Sequence, residues 1–327
     1  MSEQVDWDFF LKLAARHRVE GLVHKALYGR HDLPSKVRQR LLLQGQLIAA
    51  DNLRAARESM RLQAAFAAAE VPLLFVKGLP LGLIAYGDPF AKQAIDMDLL
   101  VPAGRIRDAA AVLVGLGYRP VPPITAKRIG DWHRVSKESA WLGGVGLLVD
   151  LHCRLTDLPN ALEAFSPWQA EQLFSIAPGV TLRGFGGTAL LAYLAVHGGT
   201  SGWFRLKWLS DFAGVVTGIL PHDVEAAWQA CLGTPAEPAL ALSFLLSHDL
   251  FGTDLPRDLA EDGPNRQQLR LLAFSKGNLL ATAEPTERRL GTVGIHLTQL
   301  LLAGSWAAGW REGRRQVRHA LLARGIY

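Results

Sequence analysis

Apolar residues recur at helical spacing through the first part of the chain. Phe9, Phe10, Leu13 and Ala14, then Leu22, Val23 and Leu27, predict an amphipathic helix over residues 6–30. Pro34 suits the first turn of a second helix. The spacing of Leu41, Leu47, Ile48, Leu53, Met60, Leu62 and Phe66 carries that helix to about Ala69, and Val71-Pro72 ends it. The period then changes. Leu73–Val76 predicts a short buried strand, Lys77-Gly78 a turn, and Leu79–Tyr86 a short helix with Pro80 in its first turn. Gly87-Asp88-Pro89 is a loop, Ile95–Val101 a strand, and Arg105–Leu116 a helix closed by Gly117. Residues 133–141 and 145–154, separated by Gly143-Gly144, predict a β-hairpin. After Pro167 the pattern predicts helices, at 187–197, 204–217, 223–232, 236–249, 266–281 and 292–310 running on toward 324. This is an α+β chain. We divide it into a helical N-terminal part over 1–70, a small α/β core over 71–165 and a helical C-terminal part over 166–327.

The strand at 95–101 carries the chemistry. Alternate residues of a strand share a face, so Ile95, Met97, Leu99 and Val101 are expected to be buried while Asp96 and Asp98 stand together on the other side. Two adjacent carboxylates disfavour joint ionisation unless a cation lies between them, and hard oxygen ligands suit Mg²⁺. The same pair also reads as two solvated acids on a half-exposed strand. In the hairpin's second strand Leu147, Val149, Leu151 and Cys153 face one way, and Leu148, Asp150, His152 and Arg154 the other. If that strand lies beside the first, Asp150 joins Asp96 and Asp98 in the three-carboxylate set of a two-metal phosphoryl-transfer site. Upstream, Lys77-Gly78 forms a strand-to-helix turn, where backbone N–H groups bind phosphate and a glycine permits close approach. Lys77 or Lys92 would neutralise the phosphates.

Composition narrows the class. The chain has 327 residues, 49% of them hydrophobic and 20% charged, enough for two or three subdomains with sizeable cores. Its net charge is +5 and its pI about 9.4, with basic residues gathered near the C-terminus at Arg311, Arg314, Arg315, Arg318 and Arg324. That excess attracts anions without choosing among nucleotides, nucleic acid and lipid. No basic stripe interleaved with aromatics accompanies the core, so a nucleic-acid partner is not expected. Cys153 and Cys231 form no zinc or disulfide pattern, and Met1–Phe10 has no apolar signal-peptide core, so a cytoplasmic location is expected. The uncharged run Gly291–Trp310 is rich in glycine and polar residues and reads as a buried helix rather than a membrane span. A peripheral membrane contact through Trp306, Trp310 and the arginines stays open.

Several pieces taken in order resemble a known family. They are Phe75-Val76-Lys77-Gly78, Tyr86-Gly87-Asp88, Lys92, the 95–101 strand, Val149-Asp150-Leu151-His152, His197-Gly198 and the segment Trp203–Asp211. Together with Trp7 and the Ala14–Val19 segment they are similar to the uncharacterised nucleotidyltransferase family of the DNA polymerase β superfamily, over about residues 6–215. Members occur in bacterial biosynthetic clusters, including some for lasso peptides and cell-surface polysaccharides. The resemblance implies a small polymerase-β-like mixed sheet flanked by the helical parts. It implies transfer of a nucleoside monophosphate from an NTP, taken first as ATP, to a hydroxyl of a small molecule, peptide or protein, with release of pyrophosphate. Asp96, Asp98 and Asp150 would bind two Mg²⁺, and Gly78 would lie under the triphosphate. His197, Lys207 and Asp211 would face the nucleotide cleft with Lys77 and Lys92, and His152 and Trp203 would be accessory, Trp203 by stacking on a base. Taken alone, His197 reads as a buried helix-end histidine, Lys207 and Asp211 as a surface i,i+4 pair, and Trp203 as a hydrophobic anchor. Two departures stand out. Lys92 replaces the family's usual arginine, turning a bidentate clamp into a point charge. Leu79 follows Gly78 where the superfamily has serine or glycine. A protein that keeps the fold and binds nucleotide without turnover, or serves as a scaffold, is the alternative reading.

Overall fold

The computed structural model describes residues 5–144, 146–287, 291–302 and 306–323. Helices α1 (Trp7–His17), α2 (Glu20–Leu27) and α3 (Ser35–Ala68) precede the sheet. The single helix expected over 6–30 is two, because Arg18 adopts a left-handed conformation (φ 54°) that closes α1. Tertiary bonds hold that break: Arg16 Nη1 donates to the Phe204 carbonyl at 2.8 Å, and the Leu206 N–H donates to His17 Nδ1 at 3.1 Å. The long α3 falls where alanine, leucine and the absence of internal proline place it.

The remaining elements are β1 (Leu74–Phe75), α4 (Leu79–Tyr86), β2 (Asp96–Leu100), α5 (Ile106–Gly115), β3 (Arg119–Pro120), α6 (Ile129–Val135), β4 (Glu138–Leu142) and β5 (Leu148–His152). A second hairpin follows, β6 (Glu171–Ala177) and β7 (Val180–Phe185). The C-terminal helices are α7 (Gly187–Thr200), α8 (Leu206–Gly218), α9 (Pro221–Cys231), α10 (Glu237–Phe251), α11 (Arg257–Asp262), α12 (Arg266–Leu280), α13 (Val293–Leu302) and α14 (Trp306–Ala323). No helix of the described residues is long and apolar enough to cross a membrane.

One seven-stranded mixed sheet, in the order β3-β4-β5-β2-β1-β7-β6, organises the molecule. β1 runs antiparallel to β2 and parallel to β7, β5 runs parallel to β2, and β4–β5 is the expected hairpin. Two local expectations are corrected. Residues 133–135, expected as the start of a strand, belong instead to α6, where Ile129 and Trp132 are buried at a three-residue interval, and the strand begins only at Glu138. Residues 171–185 supply two strands where only helix was expected. Phe174, Ile176 and Leu182 alternate around a turn at Gly179, which has φ 73°.

The two sheet faces differ. Met97, Leu99 and Val101 of the β2 segment and Val149 and Leu151 of β5 pack with Leu62 and Phe66 of α3, Leu113 of α5 and Trp132 of α6. Ile95 lies before the strand and is exposed rather than buried. A fully buried leucine or phenylalanine such as Leu62 or Phe66 stabilises by about 1.5–3 kcal/mol, so this face anchors the sheet. The opposite face carries Leu74, Val76 and Leu100 against α7, which is apolar on every side and enclosed by α8, α9 and α10. Asp96, Asp98, Asp150 and His152 share the parity of Leu100 and therefore stand on this second face.

Candidate active site

β2 and β5 pair in parallel with Asp98 opposite Asp150 and Leu100 opposite His152. Neighbouring strands lie about 4.8 Å apart, so the sequence-predicted carboxylates meet on one face, with Asp96 one step along β2. β1 flanks β2 on the other side, and the Val76 N–H donates to the Asp98 carbonyl at 3.0 Å. Lys77 follows at once, and its Nζ lies 3.2 Å from Asp98 Oδ1.

A chain of polar contacts crosses the sheet from there. His152 Nε2 stands 3.1 Å from Asp98 Oδ1, and His152 Nδ1 lies 3.6 Å from Glu138 Oε2. Glu138 in turn pairs with Lys137. Burial alone would raise the Asp98 carboxyl, but Lys77 and His152 hold it far below the usual carboxylate range. Burial pulls Lys77 down, yet the facing Asp98 carries it well above its ordinary value. Among the described residues Asp150 has no such ion-pair partner. Burial, then the negative charges of Asp98, Glu138 and Asp96, push its carboxyl up to about 7. Glu138 escaped the sequence reading, although the alternation of Ser139 and Trp141 against Glu138 and Ala140 places it on the Asp150 face once the hairpin register is set.

Gly78 caps α4 with φ 71° and ψ −130°, a conformation that favours glycine. A Cβ built there would meet nothing within 4 Å, so the space over the turn is open to a phosphate. Lys77, Gly78, Lys92, Asp96, Asp98, Lys207 and Asp211 line one cavity of about 40 Å³. That volume accepts water or a small ion; ligand pockets run to about 300–1,000 Å³, so a larger ligand would fit here only if these side chains part.

Lys92 pairs with buried Asp211, which also accepts from Tyr86 Oη at 2.8 Å. The Lys207–Asp211 pair suggested by their spacing is therefore replaced by Lys92–Asp211. Lys207 has no ion-pair partner among the described residues, and burial together with Lys92 and Lys77 lowers it to about 8. His197 is not in this cavity. It lines a neighbouring polar one with Lys137, Asp157 and Arg315, its buried Nε2 has no hydrogen-bond partner among the described residues, and its ring meets Trp208 edge-on at 5.4 Å. Burial, Lys77 and Lys137 hold it well below its ordinary value. Trp203 is a correction: it is fully buried, it packs edge-on against Phe212, and its ring fills the space where Gly198 would carry a Cβ. No face of it is open to a base.

The donor set fits a hard divalent cation in its chemistry, with carboxylate oxygens on adjacent strands and unrelieved repulsion at Asp150. In their present rotamers the side chains do not converge. Among the described residues no group of three or more His, Cys, Asp or Glu is arranged to hold a metal ion, since Asp98 is engaged by Lys77 and His152.

No curated protein matches the chain. Among solved structures it is similar to the solution structure of the antibiotic-resistance factor ANT(2'')-Ia, at 15% identity and a TM-score of 0.41, over 55% of this chain and 91% of that one. The sequence profile described as "Uncharacterised nucleotidyltransferase" matches residues 3–252. The chain belongs to that family of transferases.

Proposed function

We propose that the protein transfers a nucleoside monophosphate from an NTP, in the first instance ATP, to a hydroxyl acceptor and releases pyrophosphate in a Mg²⁺-dependent reaction. The observation that carries this reading is the in-register pairing of Asp98 with Asp150, with Asp96 on the same face and the open Gly78 turn beside them. Asp96, Asp98 and Asp150 would hold the cations, which supply charge neutralisation of the triphosphate and activation of the attacking hydroxyl. Gly78 and the α4 N-terminus would cradle phosphate oxygens. Lys77 exchanges Asp98 for phosphate as the site fills, and Lys207, which has no ion-pair partner among the described residues, binds alongside. Lys92 stays with Asp211 and fixes the wall of the cavity. Asp150, ionised once the cations are bound, would accept the hydroxyl proton of the acceptor. The acceptor is a small molecule, a peptide or a protein.

Incubation with Mg²⁺ and each labelled NTP, followed for pyrophosphate release and label transfer, tests this. Wild type is expected to turn over one or more NTPs and Asp96→Ala/Asp98→Ala none. Equal release by both overturns the assignment. Nucleotide binding without release by wild type, under every NTP and candidate acceptor, returns the scaffold reading.

A further inference from the structure

Of the arginine cluster near the C-terminus, Arg311, Arg314 and Arg318 line neither of the cavities described above. α14 turns one face inward, where Arg315 donates to the Val135 carbonyl at 2.9 Å and pairs with Asp157 at 3.0 Å, Glu312 is buried, and His319 meets the Trp132 ring at 4.8 Å. Its other face, through Trp310, Arg314, Val317 and Leu321 at helical intervals, looks onto a trough between α12, α13 and α14. That trough has a volume of about 1170 Å³ and an apolar floor of Leu271, Leu300, Leu301, Trp310, Val317 and Leu321. Trp310 is 72% exposed and Val317 60%, far out of keeping with core residues. Arg266, Arg270, Arg314 and Arg318 rim it, and among the described residues no acid lines it.

A second trough of about 300 Å³ adjoins the first and shares Arg314 and Arg318 with it. Its remaining lining is Arg134, Val135, Arg311 and Arg315. Arg134 and Arg315 have acidic partners. Among the described residues Arg311, Arg314 and Arg318 have none. An apolar trough fused to a slot lined by unpaired guanidinium groups matches a ligand with a hydrocarbon body and an anionic phosphate head. An acidic helix spreads both characters along its length and does not match this division. Tryptophan and arginine at the boundary are what an amphipathic helix presents to a lipid interface.

We infer that the α12–α14 face docks the protein on an anionic phospholipid bilayer, phosphate heads in the arginine slot and acyl chain against Trp310. The full chain is sedimented with vesicles of phosphatidylcholine alone and of phosphatidylcholine doped with phosphatidylglycerol. Binding is expected to the doped vesicles only. Arg314→Gln/Arg318→Gln should weaken it about thirtyfold, since each basic residue near an anionic surface contributes about a fivefold factor. Bromine-labelled acyl chains should quench tryptophan emission in wild type and less in Trp310→Ala. Both variants should keep the wild-type melting temperature, because these side chains are exposed. No binding, equal binding to both vesicle types, or undiminished binding by the arginine variant overturns the inference. Saturable binding of glycerol phosphate in solution that abolishes sedimentation assigns the slot to a free phosphate and overturns it. So does a solution dimer, seen by light scattering, that Trp310→Ala dissolves.

Discussion

Asp98 and Asp150 face each other across one pair of strands, yet the fold treats them in opposite ways. Asp98 on β2 is buried between Lys77 and His152 and is held ionised. Asp150 on β5 is half-buried, has no cation of its own and is pushed up to about 7. Environments that drive two carboxyls apart assign them different tasks. The paired acid is a fixed negative point already neutralised by the protein, and the unpaired one is free to give up or take a proton near neutral pH. Strand register alone makes the two residues equivalent. Their difference comes from what precedes and flanks the strands: the Lys77 turn after β1 on one side, and Glu138 on β4 on the other.

The largest test of this asymmetry is to make the same substitution on both strands. Each of Asp98→Asn and Asp150→Asn should lower nucleotide transfer by about a thousandfold, the scale of removing a group that stabilises transition-state charge. Their effects on stability should have opposite signs. Asp98→Asn leaves Lys77 buried without its counter-ion, and breaking such a pair costs about 3–5 kcal/mol. Asp150→Asn removes a repelled charge and should raise stability at pH 8 by about 1 kcal/mol, a small figure because the group is half-exposed and screened. Urea unfolding of the metal-free proteins measures both. Destabilisation of equal size in the two variants would break the comparison.

The pH dependence sharpens it further. Native Asp150 binds its proton up to about pH 7, while the unfolded chain releases it near 4. Over that window the native state holds more protons, so this group's contribution to stability is full below pH 4 and is lost as pH rises through 7. His133, lowered by burial to about 4, and the buried His152 and His197, also lowered, work in the other sense as pH rises toward 6.5. The measurement is therefore the difference between the wild-type and Asp150→Asn stability curves, which should fall between pH 4 and 7 and flatten above. A difference curve flat throughout removes the special status of Asp150.

How much of this was visible beforehand differs from residue to residue. β2 and β5 were legible because apolar and acidic residues alternate cleanly and Gly143-Gly144 fixes the hairpin, so the meeting of Asp98 with Asp150 followed once the strands were placed side by side. β6 and β7 were not, since Glu171, Gln172 and Arg183 on an edge hairpin dilute the alternation of Phe174, Ile176 and Leu182. The Lys92–Asp211 pair was hidden by distance along the chain, and the local i,i+4 spacing pointed to Lys207 instead. Between the two readings of Trp203, stacking ring or hydrophobic anchor, the sequence does not choose, because its left-handed backbone (φ 49°) and its seat on Gly198 are settled only by the packing of α7 against α8.

If Asp150 is to take up a cation, it must lose its proton, and so metal binding should be coupled to pH. Titration of Mg²⁺ with a non-hydrolysable NTP into the protein below pH 7 should release a proton that is not released at pH 8, or by Asp150→Asn at either pH. Calorimetry in buffers of different ionisation enthalpy counts it. Identical enthalpies in all buffers would mean that the metal binds without Asp150.

The smallest expected effect belongs to Glu138. It stands behind Asp98 among the charges that raise Asp150, and burial comes ahead of both. Glu138→Gln keeps the shape and removes one negative charge. It also leaves Lys137 without its carboxylate partner. Removing that negative charge lowers the Asp150 carboxyl, so the midpoint of the stability difference curve should move below pH 7 by less than the same curve moves in Asp98→Asn. Asp98 keeps Lys77 and His152 in this variant, so melting temperature at pH 5 should stay near wild type and nucleotide transfer should persist with its acid limb displaced downward. A midpoint unmoved by Glu138→Gln would mean that burial alone sets the Asp150 proton, and that the difference between the two aspartates lies in exposure rather than in the charges around them.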